Sequence, residues 1–311
     1  MSDRVPFRVQ PMLATLVREP FHRPGWVYEE KYDGYRIVAY KEGDRVTLFS
    51  RNARDRTATF STVAEAVASL PALTLVLDGE VVSFDRRNVS RFQFLQNLTS
   101  PPKFAVFDCL YLDGRDLRKA PLSERRAELE RVVGKTAGQR GVIIPSSRLA
   151  ENGLKAYQIA QRKGFEGVLA KDESAPYIQG RSGKWLKFKV HQEDEFVIVG
   201  YTAPAGSRQH FGALLLGAYA GAKLQYVGKV GTGFSQQVLA SLFRKFKPYI
   251  RTKPAVHNPP REKDTTYLAL RLVAQISYGE WTNDQKLRQP VFLGLRDDKK
   301  PKEVTLPGQD R

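Results

Sequence analysis

The chain has 311 residues, 41% of them hydrophobic, with 24 glycines, 18 prolines and no low-complexity tract or internal repeat, which fits a globular protein of two domains. No run of about 18 apolar residues exists to span a membrane, and the start MSDRVPFRVQPMLATL lacks the basic-then-apolar profile of a secretory signal, so the cell interior is the expected compartment. The lone cysteine, Cys109, excludes an intramolecular disulfide and a multi-cysteine zinc site, while 50 Lys and Arg against 33 Asp and Glu give a net charge of +17 and point to a polyanionic partner.

In chain order, YRIVAY (35–40) and RVTLFS (45–50) read as two strands joined by the turn KEGD. LTLVLDGEVVSF (73–84) and KFAVFDCLYL (103–112) follow as apolar strands, the second placing Cys109 in the core as a structural thiol. Helices are predicted over 123–133, with Ser123 as the cap, and over 152–163, ending at Gly164. Short strands at 167–171 and 184–190 complete the first half. Strands and helices do not alternate regularly, which predicts an α+β domain of mixed or antiparallel sheets with flanking helices.

After Val190 the character changes. HQEDE (191–195) reads as a charged link, and EFVIVGYT opens a new set of strands. ALLLGAYAGAKLQYVGKV reads as a hairpin turning at Ala220-Gly221-Ala222, and SQQVLASLFRKFKPYI (235–250) as an amphipathic helix. LALRLVAQISYGEW and PVFLGLR supply later strands. Several strands with one helix in this length fit a small barrel of the OB type. The expected domains are therefore 1–190 and 191–311.

The chemistry-bearing residues recur as short patches. Lys31-Tyr32-Asp33-Gly34 is a K-x-D-G, with Glu29 before it and Arg36 after it. Ser50-Arg51-Asn52 ends the next strand, and Asp78-Gly79-Glu80 lies in a long apolar one. Phe107-Asp108, Glu166-Gly167-Val168, and Lys187 with Lys189 on one strand follow. Arg296-Asp297-Asp298-Lys299 comes near the C-terminus. Any one patch has an ordinary explanation: Asp-Gly is a common turn, a Phe in an apolar run is usually core, and alternate lysines protect edge strands. The four histidines match no metal-ligand spacing.

Seven patches in this order resemble the covalent nucleotidyltransferases: ATP-dependent DNA ligases, RNA ligases and mRNA-capping guanylyltransferases. HFGALLLGAY, YVGKVGTGF and EWTNDQKLRQPVFLGLRDDKKP are similar to the ligase domain of bacterial end-joining DNA ligases. The resemblance covers almost the whole chain. It implies a nucleotidyltransferase (adenylation) domain followed by an OB-fold barrel. The implied reaction uses ATP to form lysyl-AMP on Lys31, passes AMP to a 5′-phosphate, and seals nicked or broken duplex DNA. A free lysine is neutral only about once in 2,500 molecules at pH 7, so the site is expected to lower the pKa of Lys31. Lys187, Lys189 and a bound Mg²⁺ or Mn²⁺ are the expected means, and residues i and i+2 of one strand share a face.

By the same resemblance Glu166 is the main metal carboxylate and Asp78 joins it in later steps. Glu80 contacts the ribose, Phe107 stacks on adenine, and Glu29 accepts from its exocyclic amine. Asp33 orients the nick or the metal. Arg36 and Arg51 hold the 5′-phosphate at the nick, with Arg181 a further candidate. Arg296 and Lys299 orient the leaving pyrophosphate when the barrel swings over the nucleotide. Only about 30 residues precede Lys31, so no helical DNA-clamping domain is expected there, and Ku or an end-joining polymerase are candidate partners of a nucleoid-associated monomer. A GTP-dependent capping-type guanylyltransferase and a non-catalytic nucleic-acid-binding protein remain the alternatives. RNA ligases rank lower because they usually lack the barrel and its R-x-D-K, and NAD-dependent ligases because one cysteine cannot supply their zinc set.

Overall fold

In the computed structural model, residues 5–306 are described apart from 18, 97–99, 135–140, 147, 191, 207, 261 and 263. The chain divides into two units, Met1–Val190 and His191–Arg311. The strands of the first unit are β1 (Met12–Leu16), β2 (Trp26–Glu30), β3 (Tyr35–Glu42), β4 (Arg45–Ser50), β5 (Thr74–Val82), β6 (Lys103–Leu112), β7 (Arg115–Asp116), β8 (Ile143–Pro145), β9 (Arg148–Ala150), β10 (Gly167–Asp172) and β11 (Gly180–Lys189). Its helices are α1 (Ser61–Ala68), α2 (Phe92–Gln96), α3 (Leu122–Val133) and α4 (Gly153–Lys163).

Two sheets result. One runs β1-β11-β10-β2-β9 and the other β4-β3-β5-β6-β7, with β8 added beside β6. The β1–β11 and β6–β8 pairs are parallel and the rest antiparallel, so both sheets are mixed. The second sheet is buried on both faces. Ile37, Ala39, Leu75 and Leu77 pack on α1 and α3, while Val38, Tyr40 and Val76 meet Met12 and Trp185 of the first sheet. Two-sided burial explains why β5 and β6 read as nearly continuous apolar runs rather than alternating ones. Helix α4 covers the other face of the first sheet, through Ala156 and Ala160 against Tyr28, Val168 and Phe188. The order of layers is helices, sheet, sheet, helix, which is the expected α+β class.

Two local corrections come from caps and registers. Helix α3 begins at Leu122 behind an extended Pro121, and Ser123 is not its cap. The Ser123 N–H instead donates to the Glu173 carbonyl at 3.0 Å, so tertiary contact satisfies a group that a cap would have taken. Helix α4 carries both expected signals: the Asn152 side chain accepts from Leu154 and Lys155 N–H, and Gly164 ends it at a left-handed φ of 75°. In β6 the register against β5 slips between Asp78 and Gly79, so Phe107 has no directly paired partner. Phe107 faces the first sheet by alternation with Val106, and the bulge returns Cys109 to the helix side that Val106 faces. Cys109 is fully buried, and burial pushes its thiol up to about 12, which makes it inert.

The second unit contains β12 (Glu193–Thr202), β13 (Leu214–Ala220), β14 (Lys223–Val230), α5 (Gln236–Phe246), β15 (Ile250–Arg251), β16 (Thr265–Leu268), β17 (Val273–Ser277), β18 (Glu280–Trp281), β19 (Leu287–Arg288) and β20 (Val291–Leu295). β12 pairs with β13 on one edge and with β17 on the other, β13 with β14, and β17 with β20. A parallel bridge from Thr232, just after β14, to Val291 of β20 closes the ring. A five-strand closure with one helix between its third and fourth strands is the expected OB-type barrel.

Here the sequence expectation is corrected in three places. Glu193 and Asp194 belong to β12 rather than to a link, because they pair with Ser277 and Ile276; His191 lies outside the described residues. The stretch LALRLVAQISYGEW is split, since β16 pairs the end of β12 and β17 its beginning, with a turn at Ala269–Arg271 between them. Helix α5 stops at Phe246, and Pro248 lies in the short 3₁₀ turn that follows.

Candidate active site

The K-x-D-G residues form the crossing between the two sheets of the first unit. Lys31 leaves β2 with its N–H still bonded to the Gly167 carbonyl at 3.1 Å, and Gly34 N–H reaches Glu80 Oε1 at 3.2 Å before β3 begins. Gly34 is needed for a close approach: a Cβ there would stand 2.2 Å from the Val81 carbonyl oxygen.

Period-2 geometry then decides what faces what. In the first sheet, Trp185 joins the cluster between the sheets while Leu186 and Phe188 pack toward α4, so Lys187 and Lys189 lie on the inner face. Glu29 and Lys171 point to the same side from β2 and β10. The second sheet contributes Arg36, Asp78, Glu80 and Phe107. Burial grades along this face. Lys31, Glu80, Lys187 and Lys189 are half-buried, whereas Glu29, Asp78, Phe107 and Lys171 are buried; Arg51, in the turn after β4, is also half-buried.

At the accessible end, Lys31 Nζ forms an ion pair with Glu166, which is 8% exposed. Burial pushes the ammonium down and Lys189 pushes the same way, but Glu166 and Glu80 outweigh them, and Lys31 sits above its ordinary range. This corrects the expected lowering: the pairing seen here holds Lys31 as the charged form. Glu166 fits a divalent cation. Among the described residues no group of three or more His, Cys, Asp or Glu could cage a metal, but Mg²⁺ often takes one or two carboxylates and completes its shell with water and phosphate oxygens.

At the buried end the polar groups satisfy one another. Asp78, expected to join the metal in later steps, is paired with other side chains here. Its Oδ1 accepts from Arg36 Nε at 2.5 Å, and its Oδ2 from Arg36 Nη2 and the Tyr177 hydroxyl, both at 2.6 Å. Arg36 is correspondingly engaged rather than presented to a phosphate, and its guanidinium lies 4.5 Å from the Phe107 ring centroid. Lys171 Nζ stands 4.3 Å from the same centroid, so the ring that the resemblance assigns to adenine is packed among cations and only 2% exposed. Glu29 is likewise occupied, by Lys171 Nζ at 2.7 Å, by Arg126 and by the Ser146 hydroxyl at 3.1 Å. Burial and the neighbouring guanidinium groups push Lys171 well below its ordinary range.

Asp33 is turned inward: its Oδ2 accepts the Phe92 N–H at 3.0 Å, which ties the loop after β2 to α2. Arg181 is exposed and donates to the Ala14 carbonyl at 3.2 Å. In the second unit, Arg296 makes two 2.8 Å bonds to Asp298, and Lys299 lies 3.1 Å from Glu195. The sequence reading did not single out Lys171, Tyr177, Arg126, Ser146 or Ser90. Lys171 had a usable signal, because it is i+4 from Gly167 on a strand and so shares that face. Fully buried Arg125, bonded through Nε and Nη2 to Asp108 at 2.7 and 2.8 Å, gave none.

Glu30 carries a prediction for stability. Burial raises its carboxyl to about 8, against weaker opposition from Ser90 and Lys163. The folded state therefore holds a proton that the unfolded chain has lost above about 4.5. Stability is then fully present below that pH and is lost as pH rises toward 8, by at most about 5 kcal/mol. Urea unfolding of Glu30→Gln and the parent at pH 5, 6.5 and 8 will show the parent losing stability faster; parallel curves would remove the assignment.

Two family descriptions match this chain: ATP dependent DNA ligase domain over residues 11–189, and ATP dependent DNA ligase C terminal region over residues 207–299. The multifunctional non-homologous end joining protein LigD of Pseudomonas aeruginosa is 37% identical over 97% of this chain, and its Mycolicibacterium smegmatis counterpart is 37% identical over 94%. The chain spans only 37% and 39% of the length of those two relatives. Among solved structures, mycobacterial DNA ligase D complexed with ATP and MES matches with a TM-score of 0.74 at 35% identity, covering 97% of this chain and 99% of that one. The ligase domain of M. tuberculosis LigD matches with a TM-score of 0.55 at 35% identity, covering 97% and 100%.

Proposed function

This chain belongs to the ATP-dependent DNA ligase family, and we propose that it seals nicks or breaks in duplex DNA through a lysyl-AMP intermediate on Lys31. The observation that carries the proposal is the placement of Lys31 beside Glu166, on the inner face that also bears Lys187 and Lys189. Deprotonated Lys31 Nζ attacks the α-phosphorus of ATP, and the bond to the bridging oxygen breaks as pyrophosphate leaves with the electron pair. AMP then passes from Nζ to the 5′-phosphate of the break, and the 3′-hydroxyl displaces it to close the strand.

The surrounding residues supply charge and position. Lys187 and Lys189 neutralise phosphate oxygens and favour the neutral amine of Lys31. Glu166 would hold a Mg²⁺ or Mn²⁺ ion, which would supply charge neutralisation at the phosphates. Glu80 would take a ribose hydroxyl. Glu29, Lys171 and Phe107 offer an acceptor, a donor and a ring to the base once their present partners give way. Arg51 and Arg36 serve the 5′-phosphate on the same condition for Arg36. We extend the proposal to break repair in the cytoplasm at the nucleoid, as a monomer working with Ku or an end-joining polymerase. The similarity to end-joining proteins supports that extension, and no described helix is long and apolar enough to cross a membrane.

Incubation with ATP labelled at the α-phosphate, followed by denaturing electrophoresis, tests the core of this reading. A labelled band that is discharged by nicked duplex DNA is the expected result. Label from GTP alone would indicate capping chemistry, and no label would indicate a binding protein.

The charge excess gives a second expectation. With a net charge of +17, binding to nicked duplex will weaken by roughly a hundredfold or more between about 50 and 200 mM salt, as several phosphate counterions are released. Fluorescence anisotropy across that range measures it. A flat response would mean that the excess serves solubility instead.

A further inference from the structure

Between Glu30 and Tyr35 the chain is in neither sheet, yet it must hold Lys31 still enough to react. Its two ends are fixed by Lys31 N–H on the Gly167 carbonyl and Gly34 N–H on Glu80. The middle is fixed by a segment far away in sequence. Asp33 N–H donates to Ser90 Oγ at 3.0 Å, and Phe92 N–H donates to Asp33 Oδ2 at 3.0 Å. Ser90 Oγ also lies 3.5 Å from Glu30 Oε1, on the residue just before the nucleophile. Ser90 is itself anchored. It bridges to Phe84 in antiparallel fashion, and the next N–H, of Arg91, donates to the Ser83 carbonyl at 2.9 Å. The side chain is 3% exposed, so water does not readily replace its oxygen.

We propose that Ser90 is a positioning residue for Lys31, acting through Asp33 and Glu30 to fix the loop that aims the amine. The proposal rests on the reading of Lys31 as the nucleophile. The geometry is that of a reciprocal clamp: the loop gives an N–H to the serine, and the segment gives an N–H back to the loop's carboxylate. Displacing a reacting group by about 1 Å can cost on the order of a hundredfold in rate, so a clamp two residues from the nucleophile has leverage on chemistry without touching substrate.

The test separates aim from general damage by comparing two reactions of one protein. Forming lysyl-AMP uses Lys31 as the attacking group, whereas sealing a nick that already carries 5′-AMP uses the DNA 3′-hydroxyl. Ser90→Ala will slow single-turnover lysyl-AMP formation by about 10- to 100-fold at unchanged KM for ATP, while sealing of the pre-adenylated nick stays within about threefold. Ser90→Thr, which keeps the hydroxyl, will recover most of the lost rate. Ser90→Cys retains the volume but offers a poor acceptor, and will show the alanine pattern even if alanine fails to fold. An unchanged lysyl-AMP rate in both the alanine and cysteine variants, or equal losses in the two reactions for the cysteine variant, would overturn the role of Ser90. Absence of any label in the parent protein would instead overturn the nucleophile reading.

Discussion

Lys31→Ala will take no label from α-labelled ATP, and nicked DNA will stay open when ATP is the energy source. The expected loss is at least a thousandfold, because the first step consists of a bond from this nitrogen to phosphorus and nothing downstream starts without it. The structure sharpens the test, since Lys187 and Lys189 lie on the inner face of the first sheet and are alternative amines there. Any residual label is therefore to be mapped by peptide mass spectrometry. A stable adduct in Lys31→Ala at the parental level would end the reading. Lys31→Arg will fail as well, because a guanidinium with a pKa above 12 keeps its proton and has no lone pair to give.

Lys299→Ala will lose lysyl-AMP formation by roughly a hundredfold or more, the scale expected when a charge aimed at a leaving group is removed. It will keep most of its sealing of a pre-adenylated nick, from which no pyrophosphate departs. Lys299 is a cleaner probe than Arg296. Arg296 is 10% exposed and bonded at both ends to the buried Asp298 and to Gln275, so its removal strands a carboxylate and costs about 3–5 kcal/mol. Lys299 is held by Glu195 at 3.1 Å and can leave that contact at less cost. Single-turnover rates on ATP and on the pre-adenylated nick, side by side with Glu166→Ala, make the comparison. Glu166→Ala will lose both reactions, since charge neutralisation serves each phosphoryl transfer. Equal losses for Lys299→Ala on the two substrates would mean that R-x-D-K only braces the barrel.

The two predictions differ in what they ask of the molecule. The Lys31 result depends on one unit alone, and the Lys299 result requires the second unit to act on a nucleotide bound in the first. The contacts of Arg296 with Asp298, Gln275 and Glu195 show that the motif has a structural role of its own in the second unit, whatever it does for pyrophosphate. That is why the two substrates are needed.

The sequence by itself determined most of the strands around the site and the order of the patches along the chain, but it left β1 and β2 unassigned, and β2 is the strand that carries Glu29 and leads into Lys31. Lys103–Leu112 matches its predicted strand, Asn152 and Gly164 bound a helix as their chemistry requires, and Lys187 and Lys189 share a face because a strand has period two. Such features follow from neighbours within a few residues. Tertiary structure alone decided what those patches touch. Asp78 and Arg36 read as separate ligands for metal and phosphate, yet 42 residues apart in sequence they neutralise one another once β3 and β5 pair. Cys109 returns to the helix side, where Val106 also points, only because the β5–β6 register slips between them, and no local rule announces such a slip. Ser90 and Asp33 meet across 57 positions, and Glu29 and Lys171 across 142. Burial in a shared low-dielectric space then sets their charge, raising Glu30 to about 8 and lowering Lys171, because desolvation is a property of everything packed around a group and not of its place in the chain.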